Sequence, residues 1–162
     1  SSANNIALNP NRTVRFRVSS FADNVYSASG DPLDFYLSPS ASTSITFSST
    51  ASGGPFYDYL PGLLATGSQN IVKMDISNQS VDTIRYTWKC TNLTDFSCSK
   101  NPALTQLNYT FPATMSNLYC SSCSISSIAD LSNTQLINFD CSANQLLVLP
   151  EFPDTLKYLD CS

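Results

Sequence analysis

Cys120-Ser121-Ser122-Cys123 has the C-x-x-C spacing of redox and metal centres, which makes it the first place in this chain to look for chemistry. A structural zinc site needs a second ligand pair, and the sequence offers none. The absence of histidine removes both the commonest zinc ligand and the commonest general base. Carboxylates are few, and Asp140 and Asp160, expected as neighbours about 5 Å apart on adjacent strands, lie in no predicted cleft and would hold a cation only weakly. With five glycines in the chain, no phosphate loop, dinucleotide fingerprint or G-x-S-x-G elbow occurs. The sequence therefore predicts no catalytic residue, no metal site and no cofactor, and a protein that is not an enzyme.

The elements that would position these residues repeat. In register they read Ile71-x-x-Met74-x-Ile76, Leu93-x-x-Phe96-x-Cys98, Met115-x-x-Leu118-x-Cys120, Leu136-x-x-Phe139-x-Cys141 and Leu156-x-x-Leu159-x-Cys161. The last position falls at 76, 98, 120, 141 and 161, a period that is nearly constant and tightens slightly towards the end. Three residues after each of the first four stand Gln79, Asn101, Cys123 and Asn144, where a side chain able to hydrogen-bond a turning backbone is wanted. Apolar pairs follow at Val81/Ile84, Leu104/Leu107, Ile125/Ile128 and Leu146/Leu149, the second slipped by one residue at Pro102. They are expected to line the return path of each coil.

This frame resembles the L-x-x-L-x-L-x-x-N/C-x-L pattern of the leucine-rich repeat family, over about the C-terminal half of the chain. Two subtypes are echoed. The cysteine in Phe96-Ser97-Cys98-Ser99, Phe139-Asp140-Cys141-Ser142 and Leu159-Asp160-Cys161-Ser162 is similar to that of the cysteine-ladder variant in bacterial internalin-like surface proteins. Leu149-Pro150-Glu151-Phe152-Pro153-Asp154-Thr155-Leu156 is similar to the short LPxxPxxL return segment of secreted bacterial repeat effectors. The first repeats depart from both, with Ile76 in place of cysteine and no Leu-Pro.

The expected architecture is mainly β: a small N-terminal antiparallel β domain over residues 1–69, acting as a cap, then a leucine-rich repeat solenoid with a parallel sheet over 70–162. The solenoid would hold about four and a half repeats, each of about 20–22 residues. Residues 1–12 read as a polar lead-in. Thr13–Ser19, Leu33–Leu37 and Ser44–Ser48 read as strands, with turns at Ser27–Pro32 and a hairpin connection at Ser38–Thr43. Ser52-Gly53-Gly54-Pro55 reads as a linker, and Phe56–Leu64 as a turn or helix docking on the first repeat. The repeats stop partway through a coil after Cys161, so the sequence is expected to be a fragment of a longer array, or to be capped there by another chain or a copy of itself.

Composition narrows the partners. The chain is 42% hydrophobic and 12% charged, which suits a folded protein, and no apolar run approaches the length of a membrane span. A net charge of −4 with scattered lysines and arginines leaves no basic footprint for nucleic acid. Serine, threonine and asparagine replace the usual surface lysine and glutamate, which points to an extracellular, cell-surface or virion-surface setting. Cys98, Cys120, Cys141 and Cys161 fall in one inward column and are expected as free thiols packed as small apolar groups, with Cys90 left over; the alternative, a disulfide between neighbours about 5 Å apart on adjacent strands, is strained because the side chains point the same way.

The outward residues are as regular as the inward ones. Lys73, Asp95, Asn117, Asn138 and Tyr158 form one column; Asp75, Ser97, Tyr119, Asp140 and Asp160 a second; Ser77, Ser99, Ser121, Ser142 and Ser162 a third. Such columns solubilise and knit a face, and they can also recognise a ligand. The candidate binding residues are Asp95, Asn117, Tyr119, Asn138, Asp140, Tyr158 and Asp160, on the face that is concave in leucine-rich repeat proteins. Candidate glycan acceptors are the N-x-S/T sequons at Asn11, Asn78, Asn92 and Asn108, and Thr83 and Thr155, which match a bacterial D-S/T-aliphatic acceptor pattern. The function expected is non-enzymatic recognition or adhesion, binding protein or glycan on a cell surface, as a bacterial adhesin or a phage fibre protein. The alternative is a structural subunit of a virion or filament, assembled through the β domain and the open solenoid end.

Overall fold

The structure is a computed structural model that describes residues 4–8, 13–18, 35–39, 43–49, 68–78, 81–84 and 90–162. Asn11, Gln79, the turn at 27–32, the linker at 52–55 and the segment 56–64 lie outside the described residues. Eleven strands are present among them. β1 is Asn4–Leu8, β2 Thr13–Val18, β3 Phe35–Pro39, β4 Thr43–Ser49, β5 Ile71–Asp75 and β6 Asp95–Ser97. β7 is Gln106–Leu107, β8 Asn117–Tyr119, β9 Ser127–Ile128, β10 Asn138–Asp140 and β11 Tyr158–Asp160. A 3-10 turn at Ser68–Asn70 leads into β5.

Stacked parallel strands make this a β-solenoid. A seven-stranded sheet runs β11-β10-β8-β6-β5-β4-β2, and each described pair in it is parallel. Met74, Phe96, Leu118, Phe139 and Leu159 lie directly abreast, so the inward column read from the repeats is a physical column. The next inward position is in register too. The backbone N–H groups of Ile76, Cys98, Cys120 and Cys141 donate to the carbonyls of Ser97, Tyr119, Asp140 and Asp160 at 2.8–2.9 Å. One step of the ladder is thus repeated coil after coil, which brings the cysteines side by side.

Behind the sheet lies a dry interior. Ile71, Met74, Leu93, Phe96, Met115, Leu118, Leu136 and Phe139 are buried with Cys98, Cys120 and Cys141. Val81, Ile84, Leu104, Leu107 and Ile125 close the core from the return side. Cys90, the free thiol outside the ladder, is buried in the same cluster, and its carbonyl accepts from the Leu93 N–H at 3.0 Å. The same i to i+3 turn precedes two further strands, where Pro112 and Pro153 accept from Met115 and Leu156 at 2.9 and 3.2 Å.

A left-handed residue recurs just past β5, β6, β8 and β10. Asn78, Lys100, Ser122 and Ala143 have φ of 56°, 60°, 57° and 52°, all at equivalent corners and none of them glycine. At these corners the N–H groups of all four residues bond to Ser99, Ser121, Ser142 and Ser162 carbonyls of the following coil, at 2.6–3.0 Å. The hydrogen-bonded corner holds a conformation that the side chain disfavours.

The N-terminal strands depart from expectation. β1 is a strand, not a lead-in, and it pairs in parallel with β3; β2 pairs in parallel with β4, and β4 with β5. No antiparallel sheet is found among the described residues. Alternation of apolar and polar residues marks Thr13–Val18 as a strand but carries no information about strand direction. A hairpin between β3 and β4 was the natural local inference, yet the pairing is made between segments a coil apart. Thr13 lies beside Ser44 and Ile45 beside Met74. These coils are longer than the ones that set Met74, Phe96, Leu118, Phe139 and Leu159 side by side. Short return pairing at β7–β9 was also not anticipated.

Candidate functional site

Each coil presents three outward side chains per strand, and register places them in rows. Lys73, Asp95, Asn117, Asn138 and Tyr158 are direct neighbours across five strands, as are Asp75, Ser97, Tyr119, Asp140 and Asp160. The seven candidate binding residues therefore share one face of one sheet.

The first row is knitted internally. Lys73 Nζ lies 3.7 Å from Asp95 Oδ2, Asn117 Nδ2 donates to Asp95 Oδ1 at 2.8 Å, and Asn138 Nδ2 donates to Asn117 Oδ1. Thr94 Oγ1 supplies another bond to Asp95 Oδ2 at 2.7 Å. The ion pair is largely exposed and adds little stability; its effect is to hold the row in one orientation. Tyr158, 52% exposed, follows at the end of this row.

The second and third rows interlock. Where the second row holds aspartate, the serine two residues on folds back onto it. Ser77, Ser142 and Ser162 donate backbone N–H groups to Asp75, Asp140 and Asp160 Oδ1 at 2.9, 3.0 and 3.1 Å. The Ser142 and Ser162 hydroxyls bond the same carboxylate oxygens at 2.6 and 2.8 Å. The serines thus do not form one continuous ladder. Ser99 and Ser121 bond each other at 3.3 Å, and Ser77 bonds Ser97 at 2.6 Å. The backbone and hydroxyl bonds from Ser162 lower the Asp160 carboxyl below its ordinary value, with a smaller contribution from Tyr158. Tyr119, 37% exposed, sits between Ser97 and Asp140.

Beneath the face, the asparagine column carries out the role its spacing implied. Buried Asn101 donates to the carbonyls of Ile76 and Cys98 at 3.1 and 2.7 Å and accepts from Val81 N–H at 3.0 Å. Asn144 repeats this, with bonds to Cys120 and Cys141 at 2.8 and 3.0 Å and one from Ile125 at 2.9 Å. Cys123 takes the same place with its thiol aimed at the Cys98 carbonyl, at 3.4 Å. That position accounts for the C-x-x-C spacing: both sulfurs belong to the repeat. Among the described residues, no three Cys, Asp or Glu are grouped so as to hold a metal ion.

A further polar column escaped the sequence reading. Asn92, Thr114 and Thr155 stand immediately before the first inward residue and donate across to Gln69, Leu93 and Leu136 carbonyls, each at 2.9 Å. Its signal was present as Asn92-Leu93, Thr114-Met115 and Thr155-Leu156. Two candidate glycan acceptors, Asn92 and Thr155, are thus already engaged between coils. Asn108 also bonds across, to Ser127 at 3.0 Å, while Asn78 is at an exposed corner and Thr83 is half-buried.

Burial raises the thiols of Cys98 and Cys120 well above their ordinary value of 9.0, and raises Cys141 to about 11; neighbouring cysteines add to each shift. An unfolded chain releases these protons at lower pH than the folded one, so the folded state holds more protons in the interval. Stability is present below the ordinary thiol value and is lost as pH rises from about 9 towards 11. Denaturant midpoints at about pH 8 and about pH 10 should therefore differ, the alkaline one being lower. Alanine at Cys120 should shrink that difference.

No family model, curated protein or solved structure matches the chain. Among the described residues no helix is long and apolar enough to cross a membrane.

Proposed function

We propose that this chain is a non-enzymatic extracellular recognition or adhesion module of the leucine-rich repeat type, binding protein or glycan through the outward face of its parallel sheet. One observation carries this reading: the face is pre-ordered. Its amides and Asp95 are fixed by bonds from coil to coil, its other carboxylates by the serines two residues on, and Tyr119 and Tyr158 stand exposed within it. A rigid polar surface with aromatic platforms loses little side-chain entropy on binding. One strand, β10, lies between those that carry the tyrosines, so their backbones are roughly 10 Å apart across the sheet. A short oligosaccharide or an extended loop can bridge that span. A bacterial surface adhesin and a phage fibre or other virion-surface protein suit this reading equally.

A second reading, a structural subunit, is favoured by the β11 side of the solenoid. There Leu147 is 94% exposed and Val148 79%, with Leu149, Tyr158 and Leu159 also exposed. Apolar surface beside a strand edge is suited to assembly.

Glycan-array and cell-surface binding of the purified chain tests the first reading. Saturable binding is expected, reduced at least tenfold by Tyr119→Ala or Tyr158→Ala, about 1.4 kcal/mol or more per ring. Both side chains point to solvent, so the fold should survive either change. Binding indifferent to both substitutions, or a chain found only in ordered polymers with the β11 edge covered, would favour the second reading.

A further inference from the structure

The side-chain bonds of the first outward row all point one way. Asn138 Nδ2 donates to Asn117 Oδ1, Asn117 Nδ2 donates to Asp95 Oδ1 at 2.8 Å, and Lys73 Nζ lies 3.7 Å from Asp95 Oδ2. An ionised carboxylate only accepts, so Asp95 turns both amide donors towards itself and fixes which end of each amide faces which coil. Asn138 is left with its Oδ1 on the side away from Asn117. In the second row Asp140 uses Oδ1 for the Ser142 N–H and hydroxyl, at 3.0 and 2.6 Å. Among the described residues neither Asn138 Oδ1 nor Asp140 Oδ2 has a hydrogen-bond partner. Both residues belong to β10, two positions apart, and Tyr119 lies abreast of Asp140 on β8, about 4.8 Å across the sheet. Tyr119 is 37% exposed with a coil on either side of it, so its ring is open by its place in the row.

These features discriminate between ligands. The three outward rows of β5 to β11 carry no aliphatic side chain, so the apolar core of a protein interface has only the tyrosines to pack on. Asp75, Asp95, Asp140 and Asp160 outnumber Lys73, which is itself paired with Asp95, so sialylated or sulfated sugars are repelled. An open aromatic ring beside two unfilled acceptor oxygens suits a molecule with an apolar face and many hydroxyl donors. A pyranose has both. We infer, given the recognition role proposed for this face, that its ligand is a neutral oligosaccharide, one ring stacked on Tyr119 and the chain running over β10, where Asp140 Oδ2 and Asn138 Oδ1 accept from its hydroxyls. Asp95 is the positioning residue. Two strands away from β10, it touches no sugar, and it keeps the Asn138 oxygen presented by holding Asn117.

The purified chain, presented to neutral, sialylated and sulfated glycans and to basic peptides, supplies the test. Saturable binding is expected for neutral oligosaccharides alone, unchanged from low to high salt because no charge is paired on binding, and weakened at least tenfold by Tyr119→Ala. Asp95→Asn, whose amide can donate as well as accept, should weaken it about three- to tenfold, the effect of one misplaced hydrogen bond. It should also shift the side-chain amide NMR signals of Asn117 and Asn138 while leaving the thermal midpoint almost unchanged. A purely structural role for Asp95 would instead lower the midpoint and leave the affinity of the folded chain intact. Binding of basic peptides or acidic glycans that Tyr119→Ala abolishes would keep the recognition role and overturn the neutral-glycan assignment. Neutral-glycan binding at full affinity in Asp95→Asn would overturn the positioning role. Binding to none of these ligands, or binding indifferent to Tyr119, would overturn the site as a whole.

Discussion

Alanine at Asn101 should lower stability by about 3 kcal/mol, seen as a fall in denaturant midpoint without a change in slope. The amide is buried and satisfies three backbone groups at once: the Ile76 and Cys98 carbonyls and the Val81 N–H. Removing it takes this partner from the Ile76 carbonyl and the Val81 N–H and leaves the Cys98 carbonyl with the weak Cys123 thiol, in an interior where each unpaired polar atom costs about 1–3 kcal/mol before water or relaxation compensates. Aspartate is not a rescue. It accepts from Val81 but cannot donate to either carbonyl, and it brings a charge into the core. Asn144 makes equivalent bonds in a half-exposed setting, so Asn144→Ala should cost visibly less. Equal losses at the two sites would contradict the account.

Alanine at Phe139 should cost about 4 kcal/mol, the usual range for deleting a buried ring being roughly 3–5. Its ring is fully enclosed between Leu118 and Leu159 in the inward column, and it meets Phe152 at 5.7 Å between centroids and 58° between planes. The loss should be local. Amide exchange is expected to quicken across β10 and β11 while β5 and β6 keep most of their protection. Leucine at this position, which refills much of the volume, should recover more than half of the loss. Uniform loss of protection throughout the sheet would mean that the coils unfold as one unit.

The repeated half of the chain was legible because its physics is local and periodic. Met74, Phe96, Leu118 and Phe139 recur at nearly constant spacing, and a column in the sequence became a column in space. Asn101 and Asn144 were legible for the same reason. The candidate face followed once register was known, since every outward residue sits beside its counterpart one coil away. What local pattern could not encode was partner choice. Nothing in Asn4–Leu8 or Thr13–Val18 states that their partners are Phe35–Pro39 and Thr43–Ser49, or that these run the same way. Nor did the spacing reveal that Ser142 and Ser162 turn to Asp140 and Asp160 instead of to one another, a choice decided by the carboxylate two residues back. Asn92, Thr114 and Thr155 were missed because the frame begins at the apolar residue after them.

Among the described residues the cross-coil side-chain hydrogen bonds share one trait: from Asn108–Ser127 to Asn101–Ile76 they span 19 to 25 residues, the length of one turn of the helix of coils. Each turn speaks only to the next. Heat should consequently undo the molecule as a zip fastener opens, tooth by tooth from its weakest tooth, with a boundary between ordered and melted turns that travels along the axis. Calorimetry would then register a broadened peak whose apparent cooperative unit is smaller than the whole chain, and severing any single link would set where the travelling boundary halts.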